Sequence, residues 1–306
     1  MRADRAPTGV DVSICALTCR RPEGLARLHE SLARLKLPSD VRAEWVLVDN
    51  DPEASAFGGA ARSTHAGSIP ILWQHEPTGD TSRARNRAVE TARGDWIAWI
   101  DDDESACESW LSYYFTMAER FEADGFFGPV IPRLELPHTG GPDLDRFYAR
   151  PRGATGSPAT LPRTSNGFVR RSLHREHPFD LEFGSTFGED AECFLRAQDR
   201  GARFVWCDEA SVEEWIPPER HSARYLARRA VQGAAAWSRI QQRRGGWPRP
   251  LRGAVALLRL GLAGLALPAR ALAGRRERLA GWLRVCAEWG RLAGLLSFRP
   301  NRGELG

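Results

Sequence analysis

A chain of 306 residues, 42% hydrophobic and 27% charged, has the make-up of a folded protein with room for one large domain or two ordinary ones. Its six cysteines form no CxxC pair and lie too far apart for a disulfide framework or a zinc site, so free thiols in a reducing compartment are expected. The formal net charge of +4 hides a partition: residues 241–306 hold 13 arginines against three glutamates, a balance of +10, and the other 240 residues carry about −6.

In chain order, the charged opening "MRADRAPTGVDVSICALTCR" has no apolar core of the secretory kind, which predicts a cytoplasmic protein. Val12–Leu17 is a short apolar run with the character of a buried strand. Leu25, Leu28, Leu32 and Leu35 recur at helical spacing behind Pro22, so a helix follows. "AEWVLVDND" and "IPILWQHE" predict two further strands, "TSRARNRAVETARG" a helix closed by Gly94, and "DWIAWIDDD" a fourth strand. Strands alternating with helices imply a parallel, doubly wound sheet, in which ligands bind beyond the carboxyl ends of the strands. Thr18, Arg20, Asp49, Asp51 and Asp101–Asp103 would then gather on one edge.

The middle of the chain predicts a helix from about Ala106 to Asp124 and a strand-like segment "GFFGPVIPRL". A Pro/Gly/Ser/Thr-rich loop over 137–165 is long enough to be functional. "NGFVRRSL" predicts a short strand, "GEDAECFLRAQDRG" a helix with two acids in its first turn, and "ARFVWCDEA" a late strand. A long basic helix covers 220–244. From Gly245 the chain is rich in leucine and alanine but interrupted by arginines. Its longest uncharged stretch, Leu260–Ala269, is 10 residues, short of the about 20 that a spanning helix needs. Apolar helices carrying arginine and tryptophan point to peripheral membrane contact through 245–298 with anionic lipid. Packing on the domain or on a partner subunit is the alternative, and the leucine content fits lipid better than nucleic acid.

The feature that asks for chemistry is the run Asp101, Asp102, Asp103, Glu104 at the end of an apolar strand. Crowded carboxylates repel one another and burial makes each costlier, so a positive partner is expected. A divalent cation with oxygen ligands, Mg²⁺ or Mn²⁺, completed by a diphosphate, is the simplest one. A second acidic pair, Glu189–Asp190, opens a helix, where the dipole favours anions whatever their role.

Taken in order, "VSICALTCRRPEGLARLHESL", "VLVDND", "TSRARNRAVETARGDWIAWIDDDE", "GPVIP", "SNGFVRRSL" and "FGEDAECFLRAQDRGARFVW" resemble a family 2 glycosyltransferase of the GT-A fold over about residues 11–240. "PPERHSARYLARRAVQG" resembles the succinoglycan-glucosyltransferase branch of that family. The resemblance implies an α/β, Rossmann-like, mostly parallel mixed sheet flanked by helices over 1–240, divided into a nucleotide-sugar half (1–104) and an acceptor half (105–240). A basic helical membrane-associating extension would occupy 241–306. It also implies a metal-dependent, inverting transfer of a sugar, glucose first, from a UDP-sugar to a lipid-linked saccharide. Asp103 and Asp101, with His221, would hold Mn²⁺ or Mg²⁺. Thr18, Arg20, Asp49, Arg85, Asn86, Asp101, Asp102 and Arg220 would hold the donor, Asp190 would be the catalytic base, and Glu189 would shape the acceptor side. Phe187-Gly188 stands where the family often has two glycines, and no QxxRW element follows, which implies addition of one sugar at a time. A nucleotidyltransferase lacks its usual glycine-rich phosphate loop here, and no GxGxxG supports a dinucleotide-dependent oxidoreductase. The non-enzyme alternative is an inactive nucleotide-sugar-binding or membrane scaffold protein.

Overall fold

The computed structural model describes residues 9–57, 63–135, 145–246 and 248–297; the start of the expected loop (137–144) and both chain ends lie outside the described residues. Two compact units divide the chain. The first comprises Met1–Arg133, Ala149–Ser185 and Glu189–Ile216, and the second Leu134–Tyr148, Thr186–Gly188 and Pro217–Gly306. The long basic helix after Pro217 therefore groups with the C-terminal helices, whereas the sequence reading ended the first domain at 240.

The first unit opens as expected: β1 (Val12–Thr18), α1 (Pro22–Ala33), β2 (Ala43–Asp49), β3 (His65–Ala66), β4 (Ile69–His75), α2 (Thr81–Thr91) and β5 (Trp96–Ile100). Pro22 at the start of α1 costs nothing there, because the first turn has no partner for an N–H. β6 (Glu104–Ala106), α3 (Trp110–Arg120), β7 (Gly125–Phe127) and β8 (Val130–Leu134) follow. The second unit contributes α4 (Asp145–Tyr148), and the first resumes with β9 (Asn166–Arg170), α5 (Arg171–Glu176), α6 (Glu189–Asp199), β10 (Phe204–Trp206) and β11 (Val212–Ile216).

The main sheet runs β10-β7-β9-β5-β1-β2-β4-β3, and a second sheet runs β6-β11-β8. Strands β5, β1, β2 and β4 are parallel, so their carboxyl ends share one edge. The sheet is mixed because β9 lies antiparallel between β5 and β7. Its core is aromatic: Trp96 and Tyr114 both stack on the buried Phe168, at 4.5 and 5.3 Å between ring centroids.

Three local expectations need correcting. "GFFGPVIPRL" is two strands in two sheets, broken at Gly128-Pro129, where proline cannot supply a ladder N–H. A Cβ on Gly128 would sit 2.1 Å from the Ala210 carbonyl oxygen, so glycine is required by close approach. "NGFVRRSL" is strand β9 running directly into helix α5. β11 went unseen because an acid, Glu214, fills an inward-facing position of the strand.

The second unit holds three long helices, α7 (Ala223–Arg243), α8 (Arg249–Leu272) and α9 (Arg275–Ser297). α8 runs through Pro268 and is long and apolar enough to cross a membrane by length and composition, with a mean hydropathy of 1.6 over its most apolar window. Counting only uncharged residues had hidden this, because Arg259 interrupts an otherwise uncharged run from Gly253 to Ala269.

Behind the main sheet, His174 is buried with its Nε2 accepting from Trp99 Nε1 at 2.9 Å and Nδ1 3.8 Å from Cys193 Sγ. The indole can only donate, so the imidazole is neutral with its proton on Nδ1. Burial, then the nearby Arg85 guanidinium, pushes the His174 pKa down to about 3. An unfolded histidine titrates near 6.5, so the contribution of neutral His174 is complete above that pH and is lost as pH falls toward 3. Its expected share is about 2 kcal/mol between pH 7 and pH 5. Denaturant unfolding of wild type and His174→Gln across that interval checks this: the variant should show the shallower slope.

Candidate active site

The parallel strands deliver the acidic run to the shared edge. β5 ends at Ile100, and Asp101–Asp103 turn the chain into β6. A glycine is needed opposite: a Cβ on Gly24, in the first turn of α1, would lie 2.7 Å from the Asp102 carbonyl oxygen. Buried Asp102 accepts from Thr18 Oγ1 at 2.9 Å and from Arg21 Nη1 at 2.8 Å. The same Arg21 nitrogen donates to Asp103 Oδ2 at 3.1 Å. Arg21 is therefore a cation within the triplet. Thr18 and Asp102, both expected to face the donor, bond to each other and brace the loop. Asp103 is braced from behind by the Trp215 N–H, which donates to its carbonyl at 2.8 Å.

Asp101 has a different neighbourhood. Burial, then repulsion from Asp103, raises its pKa to about 7, against the pull of Arg85 and Arg150. Its backbone N–H donates to Glu104 Oε2 at 2.9 Å, while Glu104 Oε1 is buried without a hydrogen-bond partner. Burial, then Asp101, pushes the Glu104 pKa well above the usual carboxylate range, and Arg150 opposes that. Across the β6–β11 ladder Glu104 pairs with Glu214, whose Oε2 accepts from Arg150 Nη2 at 2.6 Å. Arg150 also donates to Ser165 Oγ at 2.7 Å. Sequence reasoning missed Arg21, Arg150 and Glu214, and took Glu104 only as the last acid of the run. Arg21 was legible as the cation next to Arg20, but nothing local marks Arg150.

At the neighbouring strand ends, Arg20 sits in the left-handed region (φ 55°) and donates from Nε to Asp51 Oδ2 at 3.0 Å. Buried Asp49 accepts from the N–H groups of Asp51 at 3.0 Å and Ala56 at 2.8 Å, so it shapes the loop after β2.

The second acidic pair is tied to this edge through α2. Arg85, buried on that helix, donates from Nη1 to Glu189 Oε1, with both side chains only 10% exposed. Its charge also acts on Asp190 and Asp101. Burial raises the Glu189 pKa, and Arg85 opposes that. Asn86, expected beside the donor, clamps the chain leading to α6: its Nδ2 donates to the Phe179 carbonyl and its Oδ1 accepts the Phe179 N–H, both at 2.9 Å. Asp190 opens α6 and accepts its neighbour Ala191 N–H at 2.7 Å. The left-handed residue before the pair is Gly188 (φ 101°), so the backbone places no demand for glycine on Phe187, whose side chain is exposed. Arg220 and His221 stand in the helical unit, in a short turn where the Arg220 carbonyl accepts from Tyr148 Oη at 2.6 Å. Their assignment to the donor and the metal rests on the resemblance alone.

Among the described residues no group of three His, Cys, Asp or Glu side chains is spaced to cage a metal. The donor set still fits one: Asp101 and Asp103 are hard oxygen donors, burial and then Asp103 raise the Asp101 pKa, and Mg²⁺ or Mn²⁺ is commonly held by one or two carboxylates with substrate phosphates completing the shell.

Residues 13–177 match the family model for glycosyl transferase family 2. The chain belongs to that family. It is 30% identical over 307 residues to the succinoglycan biosynthesis protein ExoM of Rhizobium meliloti (strain 1021), covering 95% of this chain and 94% of that protein. Its fold is GT-A. Among solved structures it is similar to the Pyrobaculum calidifontis mannosyltransferase PcManGT in complex with GDP-Man and Mn²⁺, with a TM-score of 0.59 and 17% identity over 91% of this chain and 86% of that one. It also resembles S. aureus TarS 1–349 in complex with UDP, with a TM-score of 0.51 and 16% identity over 94% and 91% of the two chains. Against a longer TarS chain it spans 55% of the length.

Because Arg85 and Glu189 are buried together, removing one leaves the other uncompensated. Arg85→Leu is expected to cost about 3 kcal/mol or more of unfolding free energy. The double variant Arg85→Leu/Glu189→Leu should recover part of that loss, giving a non-zero coupling in a double-mutant cycle.

Proposed function

We propose that this family 2 enzyme moves a single hexose, glucose in the first instance, from a UDP-sugar to a lipid-linked saccharide, inverting the anomeric carbon, in exopolysaccharide biosynthesis. The observation that carries this is one buried guanidinium, Arg85, acting on both Asp101 of the acidic loop and the Glu189–Asp190 pair. The likeness to ExoM, named for succinoglycan biosynthesis, supports the pathway class, and the neighbours solved with UDP or GDP-Man support a nucleotide-sugar donor.

The chemistry divides between the two acidic groups. A divalent cation bound by Asp101 and Asp103 would supply positive charge against the leaving diphosphate. Asp190 takes the proton from the acceptor hydroxyl as that oxygen attacks the anomeric carbon. Glu189, committed to Arg85, positions the start of α6 and so the base. Thr18, Arg21 and Asp102 keep the loop in place, and Asp49 with Arg20 fixes the strand-end turn that would receive the nucleoside. The arginine-rich helices would place the enzyme peripherally at the cytoplasmic face of the cell membrane, where lipid-linked acceptors are found.

Two measurements test this reading. Calorimetry with UDP, GDP and dTDP, each with and without Mn²⁺, should show one nucleotide whose binding needs the metal and is lost in Asp103→Ala; binding indifferent to both would remove the donor assignment. Asp190→Asn should keep nucleotide binding while transfer slows roughly 10²–10⁴-fold, as expected for loss of a general base.

A further inference from the structure

The helical unit carries a groove that the transfer chemistry does not use. It has a volume of about 710 Å³, within the usual range of ligand sites, and lies between the C-terminal half of α8 and the N-terminal half of α9. Leu267, Ala271, Leu279 and Trp282 give it apolar walls, and Arg275 and Arg278 line it as well. Gly264 and Pro268 of α8 line it too. Gly264 has nothing within 4 Å of where a Cβ would be, and Pro268, four residues on, cannot return a helical N–H to the Gly264 carbonyl. Beside the groove α8 exposes Leu257, Leu258, Leu262, Leu265 and Leu272, the last two at 80% and 90%. Contiguous apolar surface of this kind marks an interaction site.

Charge selects the occupant. A second copy of this chain would bring another +10 region against the first, whereas an anionic lipid neutralises it while covering the leucines. We propose that the groove binds one membrane lipid, its hydrocarbon chain along Leu267, Ala271, Leu279 and Trp282 and its phosphate head on Arg275 and Arg278. This rests on the membrane placement given above and adds to it a defined lipid-phosphate site.

The probe is dodecyl phosphate in its monomeric range, titrated calorimetrically into the full-length protein, with dodecyl maltoside and inorganic phosphate as controls. One-site binding of dodecyl phosphate, much tighter than either control, is expected. Arg275→Gln/Arg278→Gln should weaken it about thirtyfold, from the typical contribution of an arginine near a lipid phosphate. Gly264→Phe, which fills the groove where no protein atom stands, should abolish it. Retained nucleotide binding and an unchanged helical circular dichroism spectrum show that the variants fold. Binding that ignores both variants, or that inorganic phosphate reproduces, overturns the site. Co-sedimentation with phosphatidylcholine vesicles containing about a quarter phosphatidylglycerol is the separate arm. Wild type and Gly264→Phe should both sediment. Failure of wild type here removes the membrane placement, whereas sedimentation without dodecyl phosphate binding removes only the groove.

Discussion

The buried pair between Arg85 and Glu189 is the constraint around which the catalytic unit is arranged. Burying an isolated guanidinium or carboxylate is costly, and a single pair often only offsets that cost. Here one cation sits among Glu189, Asp190 and Asp101, which lie far apart in the unit's sequence. Helix α2 carries Arg85 to the edge where β5 ends, and Asn86, the next residue, holds the Phe179 backbone in the approach to α6. The same helix thus sets the electrostatics of the site and the path of the chain that bears the proposed base.

Arginines repeat this role around the acidic loop. Arg21 spans Asp102 and Asp103, and Arg150 holds Glu214 beside the buried Glu104. The carboxylates differ in condition: Asp102 is braced, the Glu104 pKa is pushed up by burial, and the Asp101 pKa is raised to about 7. A divalent cation and a diphosphate would meet a loop already fixed in place, and a preorganised site reorganises little during reaction. In the helical unit the arginines have a different setting, set among exposed leucines, which suits a charged and greasy boundary.

Much of this was legible in the sequence. The apolar runs of β1, β2, β4 and β5 and the leucine spacing of α1 follow from simple periodicity, and the acidic run after β5 announced its own need for cations. What stayed hidden depends on distant partners. Glu214 looks like a surface acid until Arg150, 64 residues away, is seen to satisfy it. Nor does local pattern show that Thr18 bonds to Asp102, that Asp102 also takes a bond from Arg21, or that Asn86 bonds to the Phe179 backbone. Strand β7 separates from β8 because Gly128 must pass close to the Ala210 carbonyl, a contact no local pattern encodes. The spanning length of α8 was masked by counting charges one by one when a helix averages them over its whole surface.

Glu189 is committed to Arg85, and the proposed single displacement takes Asp190 as its base. The most direct test is the anomeric configuration of the bond formed, read by proton NMR of the product made from an α-linked nucleotide sugar. A β-linked product is the expected result. An α-linked product would contradict the single-base arrangement and assign Glu189 or one of the loop acids a role its ion pairs and burial do not support.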